Sequence, residues 1–121
     1  MYQPLPTSKC GKPPEDPSEN PSKKGYKADV GKNRLTLIMH GFANALLEVG
    51  KVGTFGAQKY TDDGWCEVVN AEQRYTDALY RHLLAEATNE SFDEESGLLH
   101  AAHSAWNALA RLELQLRNSK Q

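Results

Sequence analysis

A histidine and a glutamate four residues apart, His82 and Glu86, are a pair whose types and spacing suit chemistry. Side chains at positions i and i+4 meet on one face of a helix, so this pair can hold one metal ion or work as an acid/base pair. Burying an ionisable pair without partners is costly. The structural alternative is a hydrogen-bonded core histidine beside a glutamate that forms a salt bridge at the end of the helix.

A second candidate is the spacing His100-x-x-His103-x-x-x-Asn107, which follows the acidic run Asp93–Glu95. These side chains share one helical face and can meet a ligand or a cation opposite the helix of His82. The spacing lacks the glutamate of a zincin motif. A plain solvated helix face is the alternative, because the same stripe also carries Ser104, Arg111 and Gln115.

A third candidate region combines glycine, a cation and aromatic rings between Phe55 and Trp65. Lys59 can bind a phosphate, and the rings of Tyr60 and Trp65 can stack on a nucleobase. The alternative is that these aromatic residues close one end of a helical core. The sequence contains neither a Walker A loop nor a Rossmann fingerprint, and no nucleophile constellation is present.

Three amphipathic helices are predicted to position these residues. The first runs from Leu35 to Gly50, with a weak extension to Gly56 and a kink or turn in residues 54–60, where glycines recur. The second runs from Asn70, its predicted N-cap, to Ala87. Ser96 is predicted to cap a third helix that ends near Arg117.

The third helix has a wide apolar sector, which indicates contact with two neighbouring helices within the chain or across an oligomer interface. We therefore expect an all-α fold: a small bundle of three main helices in a homo-oligomer, with an irregular leader over residues 1–33 and a helical nucleotide-binding domain over 34–121. The centre of the apolar sector is formed by Leu98, Ala102, Ala105, Leu109, Leu112 and Leu116.

Charge and proline are unevenly distributed along the chain. All six prolines lie at or before Pro21, and residues 1–34 carry seven Lys/Arg against four Asp/Glu, whereas the remainder carries seven against twelve. An acidic body disfavours a nucleic-acid surface and suits a site that collects divalent cations. Cys10 and Cys66 give no disulfide framework. Without a signal-peptide core or a long apolar run, we expect a cytoplasmic protein that contacts no membrane.

Several short segments, taken in order, resemble a phage-borne family, the dATP/dGTP diphosphohydrolases of N-terminal type. That family is grouped with MazZ and other MazG-like all-α nucleotide pyrophosphatases, and the resemblance covers about residues 32–115. The segments are Glu48-Val-Gly-Lys51, Phe55-Gly-Ala-Gln-Lys-Tyr60, Gly64-Trp65, Asp77-Ala-Leu-Tyr-Arg-His82-Leu-Leu, Asp93-Glu-Glu-Ser-Gly97, His100-Ala-Ala-His103 and Asn107.

The resemblance implies an oligomeric enzyme that uses Mg²⁺ or Mn²⁺ to hydrolyse a purine deoxynucleoside triphosphate to the monophosphate and pyrophosphate. It would work in the host cytoplasm if it is encoded by a phage. The implied catalytic residues are Glu48, His82 and Glu86, and the implied metal ligands are these three and Asp93. The implied nucleotide contacts are Lys51, Lys59, Tyr60, Trp65, Arg81, His100, His103 and Asn107.

The chain departs from the MazG-like pattern, in which one helix carries Glu-x-x-Glu and the next carries Glu-x-x-Asp. Here Lys51 stands three residues after Glu48, and the second helix supplies His82 and Glu86. Magnesium prefers oxygen ligands, so a histidine-rich set fits Mn²⁺ better. The alternative function is a non-catalytic protein that binds a nucleotide in the same helical pocket and sequesters a host defence signal.

Overall fold

The computed structural model describes residues 20–119, and the chain divides into two units between Arg34 and Leu35. Residues 20–34 form turns without a helix. Residues 1–19 of the predicted leader lie outside the described residues. The second unit contains all the helices found in residues 20–119.

The second unit is built from α-helices, which confirms the predicted all-α fold with three main helices. A short 3-10 helix, Gly64–Glu67, lies between the second and third α-helices. Within residues 20–119, none of the helices combines the length and the apolar character that a membrane span requires. The α-helices are α1, Thr36–Met39; α2, Ala43–Lys59; α3, Ala71–Ala87; and α4, His100–Ser119.

The predicted first helix is two helices, and its second part is longer than expected. The chain turns between Met39 and Ala43, and α2 then continues to Lys59 without the predicted kink or turn in residues 54–60. Packing explains why a glycine stands at position 53, because a Cβ there would lie 3.4 Å from Nε1 of Trp106. Tertiary packing of this kind can outweigh the cost of glycine in a helix, about 1 kcal/mol.

Helices α3 and α4 pack against each other in antiparallel orientation. Their register follows from two hydrogen bonds, Gln115 Nε2 to Glu72 Oε1 at 2.8 Å and Arg111 Nε to Thr76 Oγ1 at 2.6 Å. Successive residues of α3 therefore lie opposite progressively earlier residues of α4. This register brings the second half of α3 beside the first turn of α4.

Helix α4 begins at His100, so the prediction that Ser96 caps it is wrong. Residues 91–100 instead form a tight turn, in which the Asp93 N–H donates to Leu98 O at 2.8 Å and the His100 N–H donates to Ser91 O at 2.9 Å. Gly97 has φ +73°, a conformation that glycine adopts without a steric penalty. Because of the turn, α4 begins three residues later than predicted.

Most of the polar stripe of α4 is buried, so the alternative of a solvated helix face is wrong for His100, Ser104 and Asn107. The predicted apolar centre is divided: Ala102 is buried, whereas Leu109, Leu112 and Leu116 face outward and are each about half exposed, at 51%, 53% and 51%. The polar stripe faces inward because α3 and the 91–100 turn supply hydrogen-bond partners for several of its side chains. The buried residues are His100, Ala102, His103, Ser104, Asn107, Ala110 and Leu114.

Candidate functional site

Three histidines from α3 and α4 lie together. Nδ1 of His82 is 2.8 Å from Nδ1 of His100, and the two rings are tilted by 45°. The ring of His103 stacks on that of His82, with centroids 4.5 Å apart and planes within 9°. Two imidazole nitrogens at 2.8 Å share a single proton, since one must donate and the other accept.

Asp93 is held beside these histidines by Ser96. The Ser96 N–H and hydroxyl both donate to Asp93 Oδ2, at 2.9 and 2.8 Å. The same hydroxyl oxygen lies 2.7 Å from His103 Nε2. Because its only proton goes to Asp93, His103 must be the donor, and the network assigns it the Nε2–H tautomer. Ser96 therefore fixes both the carboxylate and the neighbouring imidazole.

The surroundings favour the neutral form of His82 and His103 and the charged form of Asp93. Burial lowers the pKa of His82, and the nearby His103 and His100 lower it further. Burial likewise lowers the pKa of His103, and the Asp93 carboxylate opposes this only in part. Burial alone would raise the pKa of Asp93, but the two hydrogen bonds from Ser96 and the histidines leave it below its ordinary value. At neutral pH the cluster thus offers nitrogen and oxygen lone pairs.

His82, Asp93 and His100 form a group that could hold a metal ion, since one ligand atom of each lies within 4.8 Å of the others. His100 is 6% exposed, and its buried Nε2 has no hydrogen-bond partner. A carboxylate oxygen of Glu90 lies 3.9 Å from that nitrogen. The group combines two predicted metal ligands, His82 and Asp93, with a histidine for which a nucleotide contact was predicted.

The two glutamates predicted as ligands lie elsewhere. Glu86 is exposed, although it was expected to share the core-facing sector of His82. His82 differs, because its half-buried ring lies against the rings of His100 and His103. Glu48 lies on α2, where Lys51 Nζ contacts its Oε1 at 2.6 Å.

A groove of about 880 Å³ lies between α2 and the turn at Ser96 and Leu98. Glu48 and Lys51 line it. Ser96 belongs to both the groove and the histidine cluster, since its hydroxyl contacts Asp93 and His103. The groove and the cluster are therefore adjacent. The other lining residues are Asn44, Leu46, Leu47, Gly50, Thr54, Phe55 and Gln58.

Seven of the eight predicted nucleotide contacts lie outside the lining of this groove, which contains Lys51. Lys59 bonds to Glu95 and lies over the ring of Tyr60, which is 70% exposed. Trp65 is half-buried in a cluster of aromatic rings that is part of the helical core. Arg81 is exposed on α3. The rings that contact Trp65 are those of Tyr75 and Trp106, with centroids 6.5 and 6.1 Å away.

The α4 residues predicted to contact nucleotide are buried in the second unit. His100 and His103 belong to the cluster, and Asn107, which is 5% exposed, donates from Nδ2 to the carbonyl of His103 at 2.8 Å. The roles of Ser96 and Glu90 were missed from the sequence. The Asp-x-x-Ser spacing followed by Gly97 is a signal that could have located Ser96, because Asp and Ser side chains hydrogen-bond the nearby backbone in turns.

Two comparisons with known proteins identify the family of this chain. The family model described as "dATP/dGTP diphosphohydrolase, N-terminal" matches residues 22–121. A protein of Salmonella phage PMBT28, named dATP/dGTP diphosphohydrolase, is 40% identical over 81 residues, which are 67% of this chain and 26% of that protein. The chain therefore spans much less than the full length of this relative. No solved structure matches the chain. Since the family model covers most of its residues, the chain belongs to the family of dATP/dGTP diphosphohydrolases, N-terminal.

Proposed function

We propose that this chain hydrolyses purine deoxynucleoside triphosphates to the monophosphate and pyrophosphate. The observation that carries the proposal is the adjacency of a groove and a partly buried histidine–aspartate cluster, which meet at Ser96. The groove volume of about 880 Å³ falls within the usual range for small-molecule sites, about 300–1,000 Å³. The name of the phage relative supports the choice of substrate.

The α2 wall of the groove suits a nucleotide. The Lys51 side chain is 59% exposed, and its ion pair with Glu48 costs little to open, since exposed pairs contribute about 0–1 kcal/mol. In this proposal Lys51 moves to a phosphate. The amides of Asn44 and Gln58 supply donors and acceptors for a base or a sugar, and Phe55 supplies an apolar surface.

When it is bound, a divalent cation, Mg²⁺ or Mn²⁺, would supply positive charge that stabilises the triphosphate during hydrolysis. His82 and Asp93 are the predicted ligands that lie together. Glu48 lines the groove and is the proposed general base, because its carboxylate can accept the proton of an attacking water after Lys51 turns to the phosphate. Glu86 has no part in this proposal, because it is exposed and lies outside the group.

The test is release of pyrophosphate from dGTP and dATP by the full chain with Mg²⁺ or Mn²⁺, followed by chromatography of the nucleotide product. Glu48→Gln should lower the rate about 10²–10⁴-fold, as expected for loss of a general base. Glu113→Gln is a matched control, since Glu113 is also a helical glutamate paired with a nearby cation, Arg117 at 2.8 Å. The control should retain the wild-type rate. Absence of turnover for both nucleotides would contradict the proposal.

A second candidate function is binding of a nucleotide without hydrolysis, which would sequester a host signal. It is favoured by the engagement of Glu48 with Lys51 and by the single carboxylate in the metal group. Recovery of intact nucleotide from a tight complex after long incubation would support this function. Recovery of the monophosphate would support hydrolysis instead.

We also propose that the chain forms a homo-oligomer through the outward face of α4. Leu109, Leu112 and Leu116 lie about one turn apart and are each about half exposed. The buried apolar residues in residues 20–119 are few and mostly small, so a second copy would add apolar burial that the chain lacks by itself. Light scattering of the full chain tests this proposal, with the monomer mass as the contrary result.

A further inference from the structure

We infer that His82, Asp93 and His100 form a site for a first-row transition-metal ion of the Mn²⁺ to Zn²⁺ series, and that this site discriminates against Mg²⁺. The inference specifies the cation of the proposed function and rests on that function for its use. The existence of the site rests on geometry, since one ligand atom of each residue lies within 4.8 Å of the others.

The donor set decides the class of ion. Two imidazoles and one carboxylate suit Zn²⁺, Fe²⁺, Co²⁺ or Mn²⁺, whereas Mg²⁺ requires near-octahedral oxygen coordination and keeps several waters. Three protein ligands leave at least one position for water or a phosphate oxygen. Asp93 can contribute because both hydrogen bonds from Ser96 go to Oδ2, so Oδ1 keeps its lone pairs for an ion.

The two facing nitrogens need only a small movement to accept an ion. In tetrahedral coordination with metal–nitrogen distances of about 2.0–2.1 Å, two nitrogens lie about 3.3 Å apart. Nδ1 of His82 and Nδ1 of His100 are now 2.8 Å apart. An ion would therefore take the place of the shared proton after the pair opens by about 0.5 Å, a change within reach of side-chain rotation.

The unpartnered nitrogen of His100 is the second observation that points to a ligand. Metal-binding histidines almost always donate their other ring N–H to a carboxylate, a carbonyl or water. Nε2 of His100 is buried without a partner, and Glu90 Oε2 lies 3.9 Å away on a side chain that is 70% exposed. A mobile Glu90 can close that gap when an ion orients the ring. A purely structural histidine cluster explains the contact between the Nδ1 atoms but not the orphaned Nε2.

The experiment measures metal binding by the full chain without nucleotide. Chelator-stripped protein is titrated with Zn²⁺, Mn²⁺, Co²⁺ and Mg²⁺ in a calorimeter. The expected result is one ion per chain, with Zn²⁺ bound more tightly than Mn²⁺, as the Irving–Williams order requires, and Mg²⁺ bound at least about 100-fold more weakly than Mn²⁺. Equal affinity for Mg²⁺ and Zn²⁺, or no binding up to about 1 mM, overturns the inference.

Variants test the individual residues. Asp93→Asn and His100→Ala should abolish binding, and Glu90→Gln should weaken it about 10–100-fold as a positioning residue. The matched controls are His40→Ala and Glu94→Gln, both at exposed positions, and both should bind like the wild type. Equal losses in the controls and in the site variants overturn the inference.

A measurement on the wild type keeps the test valid if a variant fails to fold. Zn²⁺ should shift the ring nitrogen signals of His82 and His100 in an NMR spectrum and leave those of His40 unchanged; shifts confined to His40 would refute the site. The outcomes also separate the two proposals. Metal binding without hydrolysis would support the metal site and contradict the proposed enzymatic function. Hydrolysis with Mg²⁺ but without transition-metal binding would support the enzymatic function and contradict the metal site.

Discussion

Shortening Leu114 to alanine should destabilise the second unit much more than the same change at Leu112, two residues earlier on α4. Leu114 is 8% exposed and belongs to the core, whereas Leu112 is 53% exposed on the outward face. The pair therefore compares one substitution on the two faces of a single helix. It also tests whether Leu114 lies on the inward face of α4 and Leu112 on the outward face.

The magnitude follows from the exposed fractions. Leu→Ala removes the equivalent of about three methylene groups, each of which contributes about 0.8 kcal/mol when fully buried. With 8% exposure, Leu114 loses about 2.2 kcal/mol of transfer free energy, and a residual cavity raises the total to about 3 kcal/mol. Leu112, at 53% exposure, loses about 1 kcal/mol and leaves no enclosed cavity.

The assay is urea unfolding followed by the fluorescence of Trp65 and Trp106, at several protein concentrations. The expected gap is about 2 kcal/mol in the free energy of unfolding at low concentration. An equal loss for the two variants at that concentration would refute the assigned faces of α4. A loss at Leu112 that grows with protein concentration would instead place Leu112 in the proposed homo-oligomer interface, because association stabilises the folded state by mass action.

Three further changes test the surroundings of the site. Because the pKa values of His82 and His103 are lowered in the folded chain, the unfolded chain binds more protons as the pH falls. The contribution of these histidines to the free energy of unfolding should be fully present above about pH 6.5 and should be lost as the pH falls through the lowered pKa values. A urea midpoint that stays constant between about pH 8 and 5 would contradict this. Tyr75→Phe keeps the ring but removes the hydrogen bond to the Trp65 carbonyl, 2.5 Å long, so the free energy of unfolding should fall by about 1 kcal/mol, and an unchanged value would count against that bond. Gly97→Ala should cost about 1–2 kcal/mol by thermal unfolding because φ is +73°; a gain in stability would exclude the strained turn.

The sequence predicts the three main helices because their apolar periodicity is strong and Ala71–Ala87 begins next to the predicted N-cap. It does not predict that α2 continues through its glycines, since that depends on the approach of Trp106 to Gly53. It also misplaces the start of α4, because the turn chemistry of Asp93 and Ser96 competes with helix capping by the same serine.

The buried face of α4 could not be read from hydrophobicity. Periodicity identifies an apolar and a polar face, but it does not say which partner each face meets. Arg111 faces inward because Thr76 lies opposite, a pairing that depends on the register between α3 and α4. The outward leucines are consistent with a partner outside the chain.

The sequence selects the three members of the metal group, with His100 as a nucleotide contact, but it does not predict their grouping or the contribution of Ser96. His82, Asp93 and His100 were each selected by residue type, whereas their grouping depends on the antiparallel register and on the 91–100 turn. Glu86 was selected by the i,i+4 rule, which holds within one helix and does not take account of where the neighbouring helix begins.

The donors of the histidine–aspartate group and the residues that support them lie in one stretch, from His82 to His103. Closing so short a loop costs little chain entropy, and local contacts form early in folding. The proposed metal site can therefore be inherited, or transplanted, as a helical hairpin. The groove wall on α2 comes from a separate part of the chain, so the proposed substrate preference can diverge while the hairpin stays the same.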